Sequence, residues 1–125
     1  MKNKDFLTLA DAQKMVGPTA FSSMLKPAGS KCNLDCSYCY YLDKAVQYGG
    51  VQAAMDERLL ETYIRQYIEA NDVDTVTFCW HGGEPTLMGL DYYRKAVKHQ
   101  RRYASGKKIV NTIQTNGTTI DERWC

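Results

Sequence analysis

The chain has 125 residues, 44% of them hydrophobic, which bounds it to at most one domain with a modest core. Sixteen Lys and Arg against fourteen Asp and Glu leave a net charge of +2, which gives no electrostatic case for nucleic acid. No apolar run approaches the roughly 20 residues needed to span a bilayer. The charged start Met1-Lys2-Asn3-Lys4-Asp5 leads into no signal-peptide core, so its five cysteines are expected in a reducing, cytoplasmic setting, serving metals rather than disulfides.

Residues 1–17 have mixed polarity and weak helical spacing (Leu7, Ala10, Met15) and carry no assigned function; residues 1–18 are set apart as an N-terminal extension to a domain over 19–125. The short run Ala20 to Lys26, closed by Pro27 and Gly29, suits a strand. A polar loop with Cys32, Cys36 and Cys39 follows, then a connector over 48–54 containing Gly49-Gly50. Leu59, Leu60, Tyr63, Ile64, Tyr67 and Ile68 recur at helical spacing. Asp56 is the expected N-cap, Met55 and Leu60 a hydrophobic staple, and Asn71 the helix end.

Thr75-Val76-Thr77-Phe78-Cys79-Trp80 reads as a strand buried on both faces. It runs directly into His81-Gly82-Gly83-Glu84-Pro85. A second helix is expected from Leu90 to Ser105, with Tyr93, Ala96, Val97 and Ala104 inward and Gly106 closing it. Its cluster of Lys95, Lys98, His99, Arg101 and Arg102 reads as a solvated face rather than a binding patch. A third strand, Lys108 to Thr115, ends in Asn116-Gly117, and Thr119-Ile120-Asp121-Glu122 has the form of a capping box opening another helix. With barely one turn left before Cys125, the chain is expected to be a fragment whose third strand, with Ile109, Val110 and Ile113, has an open apolar edge.

Strand, helix, strand, helix, strand is a repeated βαβ plan, an α/β fold with parallel strands that can close as a barrel or stay open. Ligand sites in such folds gather beyond the carboxyl ends of the strands. The cysteine loop, the Gly-Gly-Glu-Pro turn and Gln114-Thr115-Asn116-Gly117 all fall at that edge.

Three thiolates at spacings of four and three are poorly placed to pair with one another and well placed to converge on a soft metal centre. On a cubane iron–sulfur cluster they leave one of four irons without a protein ligand. The rival reading is a structural zinc site with Cys79 or His81 as fourth ligand, against which stands the lack of a second closely spaced ligand pair. Gly82 and Gly83 let backbone approach a ligand with no side chain between. Gln114 and Asn116 share parity on their strand and face one space. His81 lines that space or caps the strand, and Cys79 and Cys125 read as buried thiols.

Cys32-x3-Cys36-x2-Cys39, with Tyr38 before the last cysteine, resembles the cluster loop of the radical S-adenosylmethionine (SAM) superfamily. With Lys26-Pro27, Cys39-Tyr40-Tyr41, Trp80-His81-Gly82-Gly83-Glu84-Pro85-Thr86-Leu87 and Gln114-Thr115-Asn116-Gly117, the chain from Phe21 to Cys125 is similar to anaerobic sulfatase-maturating enzymes. The resemblance implies the N-terminal βαβαβ part of a partial (β/α) barrel, with Cys32, Cys36 and Cys39 on a 4Fe–4S cluster. It places SAM against Tyr38, Gly82, Gly83, Glu84, Gln114 and Asn116, with the Gly82 and Gly83 carbonyls accepting from the SAM ammonium and Tyr38 facing adenine. Glu84 fixes the turn or pairs with a cation. The implied reaction is radical oxidation of a sulfatase cysteine or serine to Cα-formylglycine, with flavodoxin or ferredoxin as electron donor. The catalytic base and auxiliary clusters are expected beyond residue 125. Another peptide-modifying maturase of the same superfamily is the alternative within the class, and a zinc-binding interaction module the alternative outside it.

Overall fold

The computed structural model describes residues 8–15, 20–41, 44–47 and 54–125. The boundary at residue 18 and the connector over 48–53 lie outside the described residues. Helix α1 (Leu9–Met15) realises the weak N-terminal periodicity. Strand β1 (Met24–Leu25) and helix α2 (Lys44–Gln47) follow, then α3 (Glu57–Ala70), β2 (Thr75–Trp80), α4 (Leu90–Tyr103) and β3 (Lys108–Ile113). The three strands form one sheet in the order β1-β2-β3, and both pairings are parallel. Registers such as Leu25 opposite Trp80 and Trp80 opposite Ile113 bring the carboxyl ends of all three strands to one edge.

Local chemistry sets the boundaries of α3. The Asp56 carboxylate accepts from Leu59 N at 2.7 Å, satisfying one of the helix's orphan donors. At the other end, buried Asn71 accepts from Phe21 N and donates to the Tyr67 carbonyl, tying the helix terminus to the lead-in of β1. The buried face consists of Leu60, Ile64, Tyr67 and Ile68, whereas Leu59, expected on that face, is 53% exposed because it lies in the first turn beside the cap.

Strand β2 is buried on one face only, which corrects the two-face expectation. Val76, Phe78 and Trp80 are buried against α3 and α4, while Thr75 and Thr77 are exposed and Cys79 is half-buried. The threonines are β-branched residues suited to a strand whatever they face, so propensity alone misled the two-face reading. Phe78 is fully buried, edge-on to Tyr67 at 5.0 Å between ring centroids and stacked on Trp80 at 6.1 Å.

Helix α4 buries Ala96 and Gln100. Gln100 reaches the core because it exchanges two 2.8 Å hydrogen bonds with Asn111 of β3, leaving no buried amide unpaired. Its basic face is solvated, as expected: Lys95, Lys98, Arg101 and Arg102 are exposed, with Lys95 paired to Glu57 at 2.6 Å and Arg102 to Glu61 at 3.2 Å, both across to α3. Strand β1 is shorter than the expected Ala20–Lys26, because Phe21 and Ser23 spend backbone groups on the Asn71 and Tyr67 side chains instead of a ladder. Strand β3 stops at Ile113, short of Thr115, where the chain turns to meet the loop after β2.

No capping box forms at Thr119. Its hydroxyl is hydrogen-bonded to that of Thr86, and Asp121 instead caps a short 3-10 turn, Glu122–Trp124, by accepting from Arg123 N at 3.0 Å.

Removing the central ring of the core tests this packing. Phe78→Ala is expected to lower unfolding free energy by about 3–5 kcal/mol, measured by urea titration. A loss below about 1 kcal/mol would mean that the aromatic cluster does not hold the sheet to α3.

Candidate functional site

Three loops leave the carboxyl edge of the sheet and meet. The first begins at Lys26 and passes through a turn in which Gly29 N donates to Lys26 O and Lys31 N to Ala28 O before reaching Cys32. Pro27, Ala28 and Ser30 are buried in it. The second is His81 to Glu84, and the third is Gln114 to Gly117.

The second loop is fastened to the first by backbone hydrogen bonds. His81 N donates to Leu25 O at 2.7 Å, Gly83 N to Gly29 O at 2.9 Å and Glu84 N to Lys31 O at 2.8 Å. This approach explains the glycines. A Cβ on Gly83 would stand 2.2 Å from the Lys31 carbonyl oxygen and 2.5 Å from that of Ser30. Gly82, at φ 123°, would place one 2.8 Å from the Gly29 carbonyl oxygen. The expectation that these residues lack side chains to admit a ligand is therefore corrected: the space a Cβ would take is already filled by the backbone that leads into Cys32. Their carbonyls, by contrast, accept no hydrogen bond among the described residues.

Glu84 joins the second loop to the third. It is 1% exposed, and its Oε1 accepts from Thr86 N, Thr86 Oγ1 and Thr115 Oγ1 at 2.9, 2.6 and 2.7 Å. Its Oε2 accepts from Asn116 N at 2.7 Å. Burial would raise its pKa, but the hydrogen bonds outweigh burial and hold the carboxyl below its ordinary value. Of the two roles open to Glu84 in the sequence, fixing the turn is the one its contacts display.

The third loop closes back on the first. Asn116 Nδ2 donates to Asn33 Oδ1 at 3.0 Å and lies 3.8 Å from Cys32 Sγ as a donor. Asn33 Nδ2 donates to Thr118 Oγ1 at 2.8 Å, and Asn116 Oδ1 accepts from Thr118 N and Oγ1.

Between the loops lies a cavity of about 230 Å³. All the residues singled out in the sequence border it: Cys32, Cys36, Cys39, Tyr38, Gly82, Gly83, Glu84, Gln114 and Asn116. So does His81, whose Nδ1 accepts from Gly82 N at 2.7 Å, which leaves the neutral ring its proton on Nε2. Leu34 and Thr115 also border it and were not singled out; an apolar residue in an otherwise polar loop was the one signal for Leu34. Cys79 does not border the cavity, and Cys125, expected to be buried, is exposed. Tyr38 is 87% exposed, and the Cys36 thiol beside it pushes its hydroxyl pKa upward.

The three thiols all border the cavity. Among the described residues no group of three or more His, Cys, Asp and Glu side chains is placed to hold one metal ion. A tetrahedral zinc with bonds near 2.3 Å would need sulfurs roughly 3.8 Å apart, whereas a cubane spreads three ligands over three corner irons.

Comparison with known proteins agrees with this geometry. The model of the radical SAM superfamily matches residues 27–125. The chain is 47% identical over 103 residues to a serine-type anaerobic sulfatase-maturating enzyme of Bacteroides thetaiotaomicron, covering 82% of this chain and 25% of that one. It is 40% identical over 111 residues to a cysteine-type enzyme of Clostridium novyi, covering 84% and 28%. A solved structure described as native anSMEcpe with bound AdoMet and Cp18Cys peptide superposes with a TM-score of 0.69 at 37% identity, covering 81% of this chain and 26% of that one. The chain thus spans about a quarter of the length of the curated relatives it matches.

Two substitutions test the loop assembly without any cofactor. Glu84→Gln keeps the shape but sets an amide donor against Asn116 N, and is expected to cost about 1.5–3 kcal/mol at neutral pH. Because the folded pKa of Glu84 lies below the ordinary 4.5, its stabilisation is complete above that value and is lost as pH falls through the folded pKa. Urea titrations between about pH 6 and about pH 3 should therefore show a shallower acid loss in the variant than in the wild type; parallel profiles would remove Glu84 from this role. Gly83→Ala is expected to destabilise by about 1–3 kcal/mol and to speed labelling of the loop cysteines by a maleimide. Wild-type labelling rates would show that the turn accepts a Cβ.

Proposed function

This chain belongs to the radical SAM superfamily, and we propose that it is the cluster- and SAM-binding part of an anaerobic sulfatase-maturating enzyme. The superfamily's cofactors are a 4Fe–4S cluster and SAM. The single observation that carries the reading is that three cysteines, two glycines whose carbonyls accept no hydrogen bond among the described residues, and the end of β3 border one cavity at the carboxyl edge of the sheet.

The donor set fits the cluster. Cys32, Cys36 and Cys39 are half-buried, soft donors on a loop held by backbone bonds, and as three thiolates they would hold the cluster. With both cofactors bound, one electron breaks a carbon–sulfur bond of SAM and supplies a radical able to take hydrogen from an unactivated carbon. The chain's residues bind and orient. The Gly82 and Gly83 carbonyls accept from the SAM ammonium, Tyr38 faces the adenine, and Gln114 reaches the ribose side from the end of β3. Glu84 acts through the two loops that it joins, and Asn116 through its hold on the cysteine loop.

The substrate on this reading is a sulfatase polypeptide whose active-site cysteine or serine becomes Cα-formylglycine, with flavodoxin or ferredoxin as electron donor. Support comes from the relatives of both types and from the peptide named with the solved structure. The base that takes the thiol or hydroxyl proton is expected beyond residue 125 by resemblance to the family; Glu84, the one acid bordering the cavity among the described residues, has both oxygens engaged. No helix among the described residues is long and apolar enough to cross a membrane.

Cys32→Ala, Cys36→Ala and Cys39→Ala are each expected to abolish the 4Fe–4S EPR signal and most bound iron and sulfide after anaerobic reconstitution. Cys79→Ala should retain them. If Cys79→Ala loses as much iron as Cys36→Ala, the ligand set is wrong.

A further inference from the structure

The three thiols differ in their surroundings. Cys32 Sγ accepts from Leu34 N at 3.4 Å, a bond local to the loop. It also stands 3.8 Å from Asn116 Nδ2, a donor brought from the end of β3, 84 residues away in the chain. The position of Asn116 is firmly set. Its backbone N is held by buried Glu84, its Oδ1 by Thr118, and its amide is shared with Asn33. The same carboxylate that joins the second and third loops therefore aims this amide at one thiol.

We propose that Asn116 is a positioning residue that donates an N–H···S hydrogen bond to the Cys32 thiolate and so raises the reduction potential of the cluster held there. An N–H donor draws electron density from a thiolate and favours the more negative, reduced form of a cluster, so hydrogen bonds to ligand sulfur are a main control of its potential. The proposal rests on the assignment of Cys32, Cys36 and Cys39 as cluster ligands, and extends it to a residue whose sequence position suggested only contact with SAM or substrate.

Asn116→Asp preserves shape and the Oδ1 acceptor for Thr118 but removes the donor. Thr118→Val removes the hydroxyl bond to Asn116 Oδ1 but keeps the bond from Thr118 N to that oxygen and the hold of Glu84 on Asn116 N, so the donor stays in place. In anaerobically reconstituted protein, iron and sulfide content first tests the ligand assignment; failure of that assignment appears as a wild type without a cluster. Redox titration followed by EPR then tests the proposal. At full iron content, Asn116→Asp and Asn116→Ala should both move the midpoint potential to more negative values, and Thr118→Val should leave it at the wild-type value. An unchanged midpoint in both Asn116 variants, or an equal shift in Thr118→Val, would overturn it. If the Asn116 variants hold no cluster, wild-type protein labelled with ¹⁵N in the asparagine side-chain amide decides. A ¹⁵N hyperfine coupling to the reduced cluster is expected, and its absence refutes the hydrogen bond.

Discussion

Everything at the carboxyl edge of this sheet depends on how closely the Gly82-Gly83 turn lies against the chain leading into Cys32. Donor–acceptor distances of 2.9 and 2.8 Å from Gly83 N and Glu84 N hold two loops together that would otherwise be separate surface excursions. A side chain at position 83 has nowhere to go, with two carbonyl oxygens within 2.5 Å of where its first carbon would stand. The cysteine loop's other ties are polar too, from Asn33 to Asn116 and Thr118. It is polar, its three cysteines are only half-buried, and the apolar core of Leu60, Ile64, Phe78 and Trp80 lies beneath the sheet rather than beneath the loop. The backbone bonds to the turn therefore do what a hydrophobic core does elsewhere in the chain.

Glu84 extends that assembly to the third strand. A carboxylate buried to 1% exposure is costly unless its lone pairs are satisfied, and here four donors satisfy them. Two of the four come from Thr86, in the 3-10 turn Pro85–Met88 that Glu84 caps, and two from Thr115 and Asn116 in the loop after β3, so the carboxylate ties a capped turn to an irregular loop. Charge-assisted bonds suit this task because they are short and directional. One glutamate thus fixes the end of β3 relative to the turn, and through Asn116 fixes both relative to Cys32.

Much of this was legible in the sequence, and the exceptions have physical causes. Helix α3 was readable with its cap, because Asp56 and the spacing of Leu60, Ile64 and Ile68 act locally. The parallel plan and the gathering of three motifs at one edge followed from the alternation of periodicities. The tertiary partners of individual residues were hidden. Phe21 and Ser23 leave the β1 ladder for side chains of α3, 44 to 50 residues away. Thr119 failed as a cap because its hydroxyl had a better partner in Thr86, across 33 residues. At the glycine pair a sequence shows that a side chain is missing but not that the backbone of residues 29–31 fills the space. Asn116 borders the same cavity as Gln114, as strand parity suggests, while its amide's partner depends on a loop geometry that parity does not encode.

The same geometry restricts the kind of group the turn can receive. Turns and helix N-termini that bind phosphate or carboxylate do so with free N–H groups. In this turn the N–H groups are consumed: His81 N by Leu25, Gly82 N by the His81 ring, Gly83 N by Gly29 and Glu84 N by Lys31. Among the described residues what remains uncommitted is acceptors, the carbonyls of Gly82 and Gly83, residues that border a cavity shared with the thiols. A turn whose donors are spent and whose acceptors are free is matched to a cationic or N–H-bearing ligand and mismatched to an anion. The Gly-Gly sequence, which in isolation would fit a phosphate loop equally well, acquires its chemical sense from the hydrogen bonds that bind it to the cysteine loop.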